Sequence, residues 1–376
     1  MLKKLQIIDP GYSNGFINKI IALPDSNRFL SCNSGSDSIK LWDSRTGNCL
    51  HTLESPESPD DAVYSECFDL MVTENGTRLF SGHTKNVKVK NRAFSETKTY
   101  VKQWDLQTFR CLRTMEVNGL TSLFATPDGT RLATGLGYMP SKEGYEIKIW
   151  DTKTWECLRT LEGHENVIQS LVITPSGSHV VSASDDDTVK VWDTKTGDCL
   201  HTWTFESSEG YLETPGPVKL IADGGQAILG WTDNLMMVNV ESGKVLRTLR
   251  TDYGDFANFA VSPSGIRMAS VDISFSQIQI WDLEKFRFIF SLPLKDLLCI
   301  KLYWLGNNKI ITGNKKIIIW LLDEEHYQEI MAVHNLRERI FQPIEPEDPL
   351  TILKQRFAKG EITKKEYLKM KKLLEE

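Results

Sequence analysis

The chain has 376 residues, of which 44 are Lys or Arg and 50 are Asp or Glu, so its formal net charge is −6. With 40% hydrophobic and 25% charged residues it has a globular composition, which argues against a largely disordered or fibrous chain. No apolar run reaches the roughly 18 residues of a membrane-spanning helix. Residues 1–10 also lack the apolar stretch of a signal peptide. We therefore expect a cytoplasmic, reduced protein with no membrane association.

A short apolar strand that ends in Trp recurs along the chain. The spacing between Trp192 and Trp281 is about twice the usual one. Val238 fills this gap, because Gly243 follows it by five residues as Gly197 follows Trp192. The seven positions are then Trp42, Trp104, Trp150, Trp192, Val238, Trp281 and Trp320.

A tight turn before an apolar strand gives a second, independent count of seven. These turns begin at Pro24, Glu74, Pro127, Pro175, Ala222, Pro263 and Leu305. Pro fixes φ, and Gly and Asn tolerate a positive φ, so such residues suit hairpins. Repeats of this length predict an all-β, seven-bladed propeller of four-stranded blades, with strands a to d counted from the axis outwards.

The ends of the predicted propeller fit together. The apolar residues 2–8 lie where an outer strand d belongs, about 20 residues before the first turn, whereas the last repeat supplies only strands a to c. We therefore predict that the N-terminal strand completes the last blade. Such closure leaves no long exposed sheet edge.

Residues 1–322 resemble the WD-repeat family. The fourth repeat carries the likeness in Gly163-His164, Ser182, Asp186 and Trp192-Asp193. The resemblance implies a hydrogen-bonded chain of His164, Ser182, Asp186 and Trp192, which locks the b–c hairpin to the strand before it. The other repeats lack a clear Gly-His, and the fifth lacks Trp-Asp.

The apolar spacing changes from strand-like to helical after Leu322. We expect a partly helical linker over 323–347 and a helical hairpin over 348–376, whose first helix begins at Asp348 and ends at Gly360. The predicted interaction residues of the hairpin are Leu350, Leu353, Phe357, Ile362, Tyr367, Met370 and Leu374.

This C-terminal segment is similar to the short C-terminal (SHOCT) domain of prokaryotic proteins, through Gly360-Glu361-Ile362-Thr363 and Glu366-Tyr367. The resemblance implies an oligomerisation or interaction module, and a bacterial, archaeal or phage source. Because so small a hairpin buries little apolar surface alone, we expect it to dock on the propeller or to pair with another copy.

The sequence shows no catalytic or metal-binding constellation. It contains no HExxH, P-loop or GxSxG motif, and its seven Cys form no CxxC pair. We predict no catalytic residue, no metal site and no cofactor. Four Cys recur seven residues after Trp, where Val245 and Phe288 stand in other repeats, so we expect a buried packing position. They are Cys49, Cys111, Cys157 and Cys199.

Long connections are concentrated on one face. In WD-repeat propellers the d–a and b–c loops open onto the same face, called the top. Here these connections are extended at about 54–62, 83–100, 136–146 and 205–217. We therefore predict a binding site on the top face. Its candidate residues are Lys85, Lys88, Lys90, Arg92, Phe94, Lys98, Tyr100, Tyr138, Lys142 and Tyr145.

The leading functional prediction is a non-enzymatic scaffold that binds a protein or peptide on the top face and self-associates through its C-terminal hairpin. Nucleic-acid binding by the basic hairpin over 85–102 is one alternative, because aromatic residues interleave with its charges. A long solvated hairpin, neutralised by the acidic segment 54–61, is the simpler interpretation of that pattern. A propeller enzyme of lactonase or quinoprotein type is the third hypothesis, and the sequence aligns no convergent ligands for one.

Overall fold

A computed structural model of the chain describes part of it. The described residues are 2–11, 15–54, 62–88, 95–137, 144–205, 216–221, 224–231, 234–250, 256, 258–272, 277–293 and 301–323. The chain divides into two units after Asp323, and all described residues belong to the first unit. The predicted linker beyond Asp323 and the predicted helical hairpin over 348–376 lie outside the described residues.

The strands of the described part form seven antiparallel, four-stranded sheets. Blade one contains β2 (Ile17–Ala22), β3 (Arg28–Asn33), β4 (Ile39–Asp43) and β5 (Cys49–Leu53). Blade two contains β6 (Ala62–Val72), β7 (Arg78–Lys88), β8 (Ser95–Asp105) and β9 (Arg110–Glu116). Blade three contains β10 (Leu120–Ala125), β11 (Arg131–Leu136), β12 (Ile147–Asp151) and β13 (Cys157–Leu161). Blade four contains β14 (Ile168–Ile173), β15 (His179–Ser184), β16 (Thr188–Asp193) and β17 (Cys199–Thr204).

The remaining blades follow the same order until the last. Blade five contains β18 (Val218–Ile221), β19 (Gln226–Trp231), β20 (Asn234–Asn239) and β21 (Val245–Arg250). Blade six contains β22 (Phe259–Val261), β23 (Arg267–Asp272), β24 (Gln277–Asp282) and β25 (Arg287–Pro293). Blade seven contains β26 (Lys301–Leu305), β27 (Lys309–Gly313), β28 (Ile317–Leu322) and, as its outer strand, β1 (Leu2–Ile8). The predicted seven-bladed, all-β propeller is confirmed.

Each a–b turn contains one residue with a positive φ. Six of the seven are Gly, and Ser26 in blade one adopts a φ of 54°. Because a side chain strains this conformation, the glycines explain why the turn pattern repeats so regularly. The other six positions are Gly76, Gly129, Gly177, Gly224, Gly265 and Gly306.

The first strand closes the ring, as the sequence predicts. β1 pairs antiparallel with β28 from Leu2 opposite Leu322 to Ile8 opposite Ile317. Ile8 is 5% exposed and belongs to an apolar cluster with Ile17 of blade one. The N-terminal strand therefore joins two neighbouring blades through side chains as well as through backbone hydrogen bonds.

The core lies between adjacent blades. Leu30 and Leu41 of blade one pack in the same cluster as Leu70 and Trp104 of blade two, and all four are at most 2% exposed. Every blade contributes one face to each neighbouring interface. The stability of a blade thus depends on the neighbours that cover it.

The Trp at the end of strand c binds strand b of its own blade. In each of the six blades that has this Trp, the indole N–H donates to a Ser or Thr hydroxyl over 2.7 to 2.9 Å. In blade five, Val238 replaces the Trp and Leu229 replaces the hydroxyl residue. Blade five therefore lacks both the indole donor and the hydroxyl acceptor, so neither group is left buried without a hydrogen-bond partner. The six acceptors are Ser31, Ser81, Thr134, Ser182, Ser270 and Thr312.

The expectation of a buried Cys position is wrong. Cys49, Cys157 and Cys199 are exposed and Cys111 is half-buried. All four lie on strand d, the outer edge of the blade, where no further strand covers them. Val245, at the same position in blade five, is also exposed. The apolar substitutions at this position therefore do not indicate burial.

We expect the closing strand to be sensitive to the loss of one buried side chain. Ile8→Ala should lower the free energy of unfolding by about 3 kcal/mol, because it opens a cavity between blades. Ile7→Ala is the matched control, since Ile7 is 50% exposed, and it should change stability by less than about 0.5 kcal/mol. Chemical denaturation of both variants measures the difference, and equal effects would show that the strand does not stabilise the ring.

Candidate functional site

Four side chains of blade four form a continuous hydrogen-bonded chain. Trp192 donates to the Ser182 hydroxyl over 2.9 Å, and that hydroxyl lies 2.7 Å from Nε2 of His164. Nδ1 of His164 lies 2.8 Å from Oδ2 of Asp186. Because the Ser182 oxygen accepts from the indole, its own proton is available to Nε2, which leaves Nδ1–H to donate to the carboxylate.

Asp186 is the anchor of this chain. Burial alone would raise its pKa, but hydrogen bonds from His164, from Thr188 and from the backbone of Glu165 hold the pKa of Asp186 well below its ordinary value. The carboxylate thereby ties the b–c turn of blade four to the connection that precedes strand a. All four members are buried or nearly so, which makes the arrangement structural.

Blade two contains a shorter version of the same chain. Trp104 donates to Ser81 over 2.7 Å, and Nε2 of His83 lies 2.7 Å from that hydroxyl. His83 comes from strand b itself, whereas His164 precedes strand a. Burial, together with the charges of Lys102 and Lys85, lowers the pKa of His83 well below its ordinary value, so the ring is neutral.

The predicted insertion in blade two is an extension of three strands. β6, β7 and β8 each have 11 residues, and they pair as far as Ala62 opposite Val87 and Lys88 opposite Ser95. We call the residues 62–66, 84–88 and 95–99 the blade-two arm. Five additional residues on a strand correspond to about 17 Å, so the arm projects beyond the ends of the other blades.

Buried ion pairs fix the base of the blade-two arm. Nζ of Lys85 lies 3.2 Å and Nζ of Lys102 lies 3.6 Å from the Asp37 carboxylate of blade one. Lys85 is 3% exposed and Lys102 is 1% exposed. Two lysines of the basic hairpin over 85–102 therefore face the interior. Lys85 is not part of an exposed binding surface.

The other predicted top-face residues are only partly within the described residues. Lys98 is one-third exposed, and its Nζ lies 3.2 Å from the Glu116 carboxylate. Tyr100 and Tyr145 are half-buried, and the backbone of Lys88 forms the last pair of the arm. The side chain of Lys88 lies outside the described part, as do Lys90, Arg92, Phe94, Tyr138 and Lys142.

A central channel runs along the propeller axis. Its volume is about 1000 Å³, and strand a of every blade lines it. Six polar residues, which we call the polar ring, line one level of this channel because each occupies the same register against strand b. They are Lys19, Asp69, Ser122, Ser170, Asn258 and Lys301.

The sequence analysis missed the polar ring, although a signal was present. In five blades the ring residue stands five positions before the first residue of the a–b turn, as Lys19 does before Pro24. In four blades a β-bulge lies directly before it, and such bulges redirect side chains.

Positive charge dominates the channel. Nζ of Lys19 lies 2.7 Å from Asp69, and this pair raises the pKa of Lys19 although burial alone would lower it. Burial and the charge of Lys19 lower the pKa of Lys219 to about 8, and they also lower the pKa of Lys301. Three lysines from blades one, five and seven thus share the channel with Asp69.

Neither a metal-binding cluster nor a membrane-spanning helix occurs in the described part of the chain. Within it, no group of three or more His, Cys, Asp or Glu side chains is placed to hold a metal ion. None of the described segments is a helix with the length and apolar character required to cross a membrane.

Comparison with known families identifies two segments. The family described as WD domain, G-beta repeat matches residues 155–193, which include most of blade four. The short C-terminal domain family (SHOCT) matches residues 348–375. Both resemblances inferred from the sequence are confirmed at these residues. A comparison with curated proteins finds no match to the chain.

We expect the charge of Asp186 to stabilise blade four. Asp186→Asn should reduce stability at pH 7 by about 1–2 kcal/mol, because the amide weakens the charge-assisted hydrogen bonds. The folded pKa of Asp186 is depressed, so its contribution is present above about pH 4 and disappears as acid protonates the carboxylate. Denaturation curves should therefore show a smaller stability difference between the wild type and the variant at pH 3 than at pH 7, and part of the difference should remain at pH 3 because the folded carboxylate keeps its charge there.

Asp187→Asn is the matched control, because Asp187 is adjacent and its φ of 61° suits Asn. It should leave stability within about 0.5 kcal/mol at both pH values. A pH-independent difference between the wild type and Asp186→Asn would contradict the assigned role of the charge.

Proposed function

We propose that this chain, a seven-bladed propeller with a WD repeat and a short C-terminal domain, is a protein-interaction scaffold that binds a protein or peptide on its top face. The blade-two arm is the observation that carries the proposal. It is the longest extension among the described strands, and it leaves the disc at the end where the b–c turns lie. Propellers of the WD type are typically non-enzymatic scaffolds.

The rigidity of the blade-two arm supports its use as a contact surface. Asp37 of blade one holds it on one side. On the other side, the hydroxyl of Thr99 donates to the carbonyl of Val117 and accepts from the backbone of Leu120 in blade three. A surface held in place before binding loses little conformational entropy when a partner arrives, which favours affinity.

The alternatives receive less support from the geometry. Lys85 and Lys102 are engaged by Asp37, so a nucleic acid would meet a less basic hairpin than the sequence indicates. Lys98 is partly neutralised by Glu116. An enzyme of propeller type would use the channel, and within the described part no group of three or more His, Cys, Asp or Glu side chains is placed to hold a metal ion there.

The C-terminal segment supports a second interaction role. Residues 348–375 match a domain family of short C-terminal modules. The segment 348–376 has a net charge of +3 and the rest of the chain −9. The C-terminal segment of one copy therefore carries a charge opposite to that of the rest of another copy. We assign it to self-association.

We expect partner capture to depend on the connection between β7 and β8. Lys90→Glu with Arg92→Glu should abolish co-purification of the partner from the native host, because it reverses two charges in that connection. Tagged wild-type and variant chains, followed by mass spectrometry of the captured proteins, provide the measurement.

Lys153→Glu with Lys195→Glu is the matched control, since both side chains are exposed on c–d turns at the opposite end of the blades. This variant should retain the partner. Equal capture by all three chains would remove the top-face assignment.

We expect the C-terminal hairpin to determine the oligomeric mass. Removal of residues 343–376 should convert an assembly of 42.8 kDa chains into a monomer, and Leu353→Glu with Phe357→Glu should do the same in the intact chain. Light scattering coupled to size exclusion gives the mass, and the thermal transition of the propeller should stay unchanged. If the mass does not change, the self-association proposal is wrong.

A further inference from the structure

The lysines of the central channel converge from distant parts of the sequence. Lys19, Lys219 and Lys301 lie on the first strands of blades one, five and seven. Lys19 affects the ionisation of the other two, because its charge lowers the pKa of both Lys219 and Lys301. Like charges brought together inside a protein repel one another, so this arrangement is costly for the chain alone.

Asp69 compensates only part of this charge. Its Oδ1 is 2.7 Å from Nζ of Lys19, and its Oδ2 accepts the backbone N–H of Leu123 over 3.2 Å. Lys219 makes no hydrogen bond or ion pair with the described residues. Three lysines, Asp69 and Glu74 line the channel, so these groups have a formal charge of +1 when all five are ionised.

The cavity is large enough for a small molecule. Its volume of about 1000 Å³ lies at the upper end of the range for ligand pockets. Lysine ammonium groups bind oxyanions as point charges, without the planar geometry that arginine imposes. The site therefore suits a compact anion with charge spread over several oxygens, such as a phosphate group or a dicarboxylate.

We propose that the central channel is a binding site for a small oxyanion, held by Lys19, Lys219 and Lys301. The bound anion would place negative charge among lysines whose like charges repel one another. This site is separate from the proposed top-face contact and does not depend on it.

Isothermal titration calorimetry of the intact purified chain tests the proposal. Inorganic phosphate and succinate are titrated separately at pH 7, with sodium chloride of equal ionic strength as the reference. We expect saturable binding of one anion per chain. Binding of phosphate alone would assign the site to phosphate groups, and binding of succinate alone would assign it to carboxylates.

Lys219→Met should weaken the binding about tenfold or more, because it removes one charged donor while it keeps the length of the side chain. It also removes a buried charge, so the variant should fold. Lys301→Met provides a second measurement on another blade. Lys244→Met is the control, since Lys244 is exposed on the outer c–d turn of blade five, and it should bind as the wild type does.

The pH dependence gives an independent readout. Sulfate keeps its charge over this range, and its affinity should fall about tenfold between pH 7 and pH 9 as Lys219 loses its proton. The ionisable groups that face Lys219 are Lys19, Lys301 and Asp69, and Tyr303 lies beside Lys19. Burial raises the pKa of Tyr303, so the tyrosine stays neutral. If neither anion binds more strongly than the chloride reference, the proposal is wrong. Equal affinity of the wild type and Lys219→Met would also overturn it.

Discussion

The pairing of β1 with β28 is the constraint on which the rest of the propeller depends. It joins the two ends of the described chain within one sheet, so strand a of every blade is held at the axis. The entropic cost of closing a loop grows only slowly with its length, so the contacts at the blade interfaces can offset the cost of this long-range pairing. Without this pairing the blades would not be held around the channel, and the loops of the top face would not have fixed positions relative to one another.

The blade count could be predicted from the sequence because two unrelated requirements repeat. The Trp at the end of strand c needs a hydroxyl partner on strand b, and the a–b turn needs a residue that accepts a positive φ. Blade five breaks the first pattern through Val238 but keeps the second through Gly224, so its place could still be assigned. Local chemistry that recurs at a fixed spacing survives the loss of one motif.

Other features depend on contacts that the sequence does not reveal. The interior position of Lys85 requires Asp37, which lies 48 positions earlier on another blade. The exposure of Cys49 follows from the place of strand d at the edge of the sheet, although apolar residues at the same repeat position suggested burial. Alternation along a strand indicates two faces, but the neighbour that covers each face is a tertiary property. Charge and burial could therefore be predicted less well than the fold.

The polar ring is not explained by the apolar pattern of strand a alone. An apolar residue at each ring position would satisfy the pattern of strand a, yet the chain places Lys19, Asp69 and Lys301 there, in part directly after β-bulges. Natural proteins usually depart from local consistency at functional sites. The net charge of the chain is negative, and charges on an exposed surface are screened by salt within about 10 Å. Lysines enclosed by seven blades are screened much less, so the interior of this acidic protein can attract anions that its surface repels.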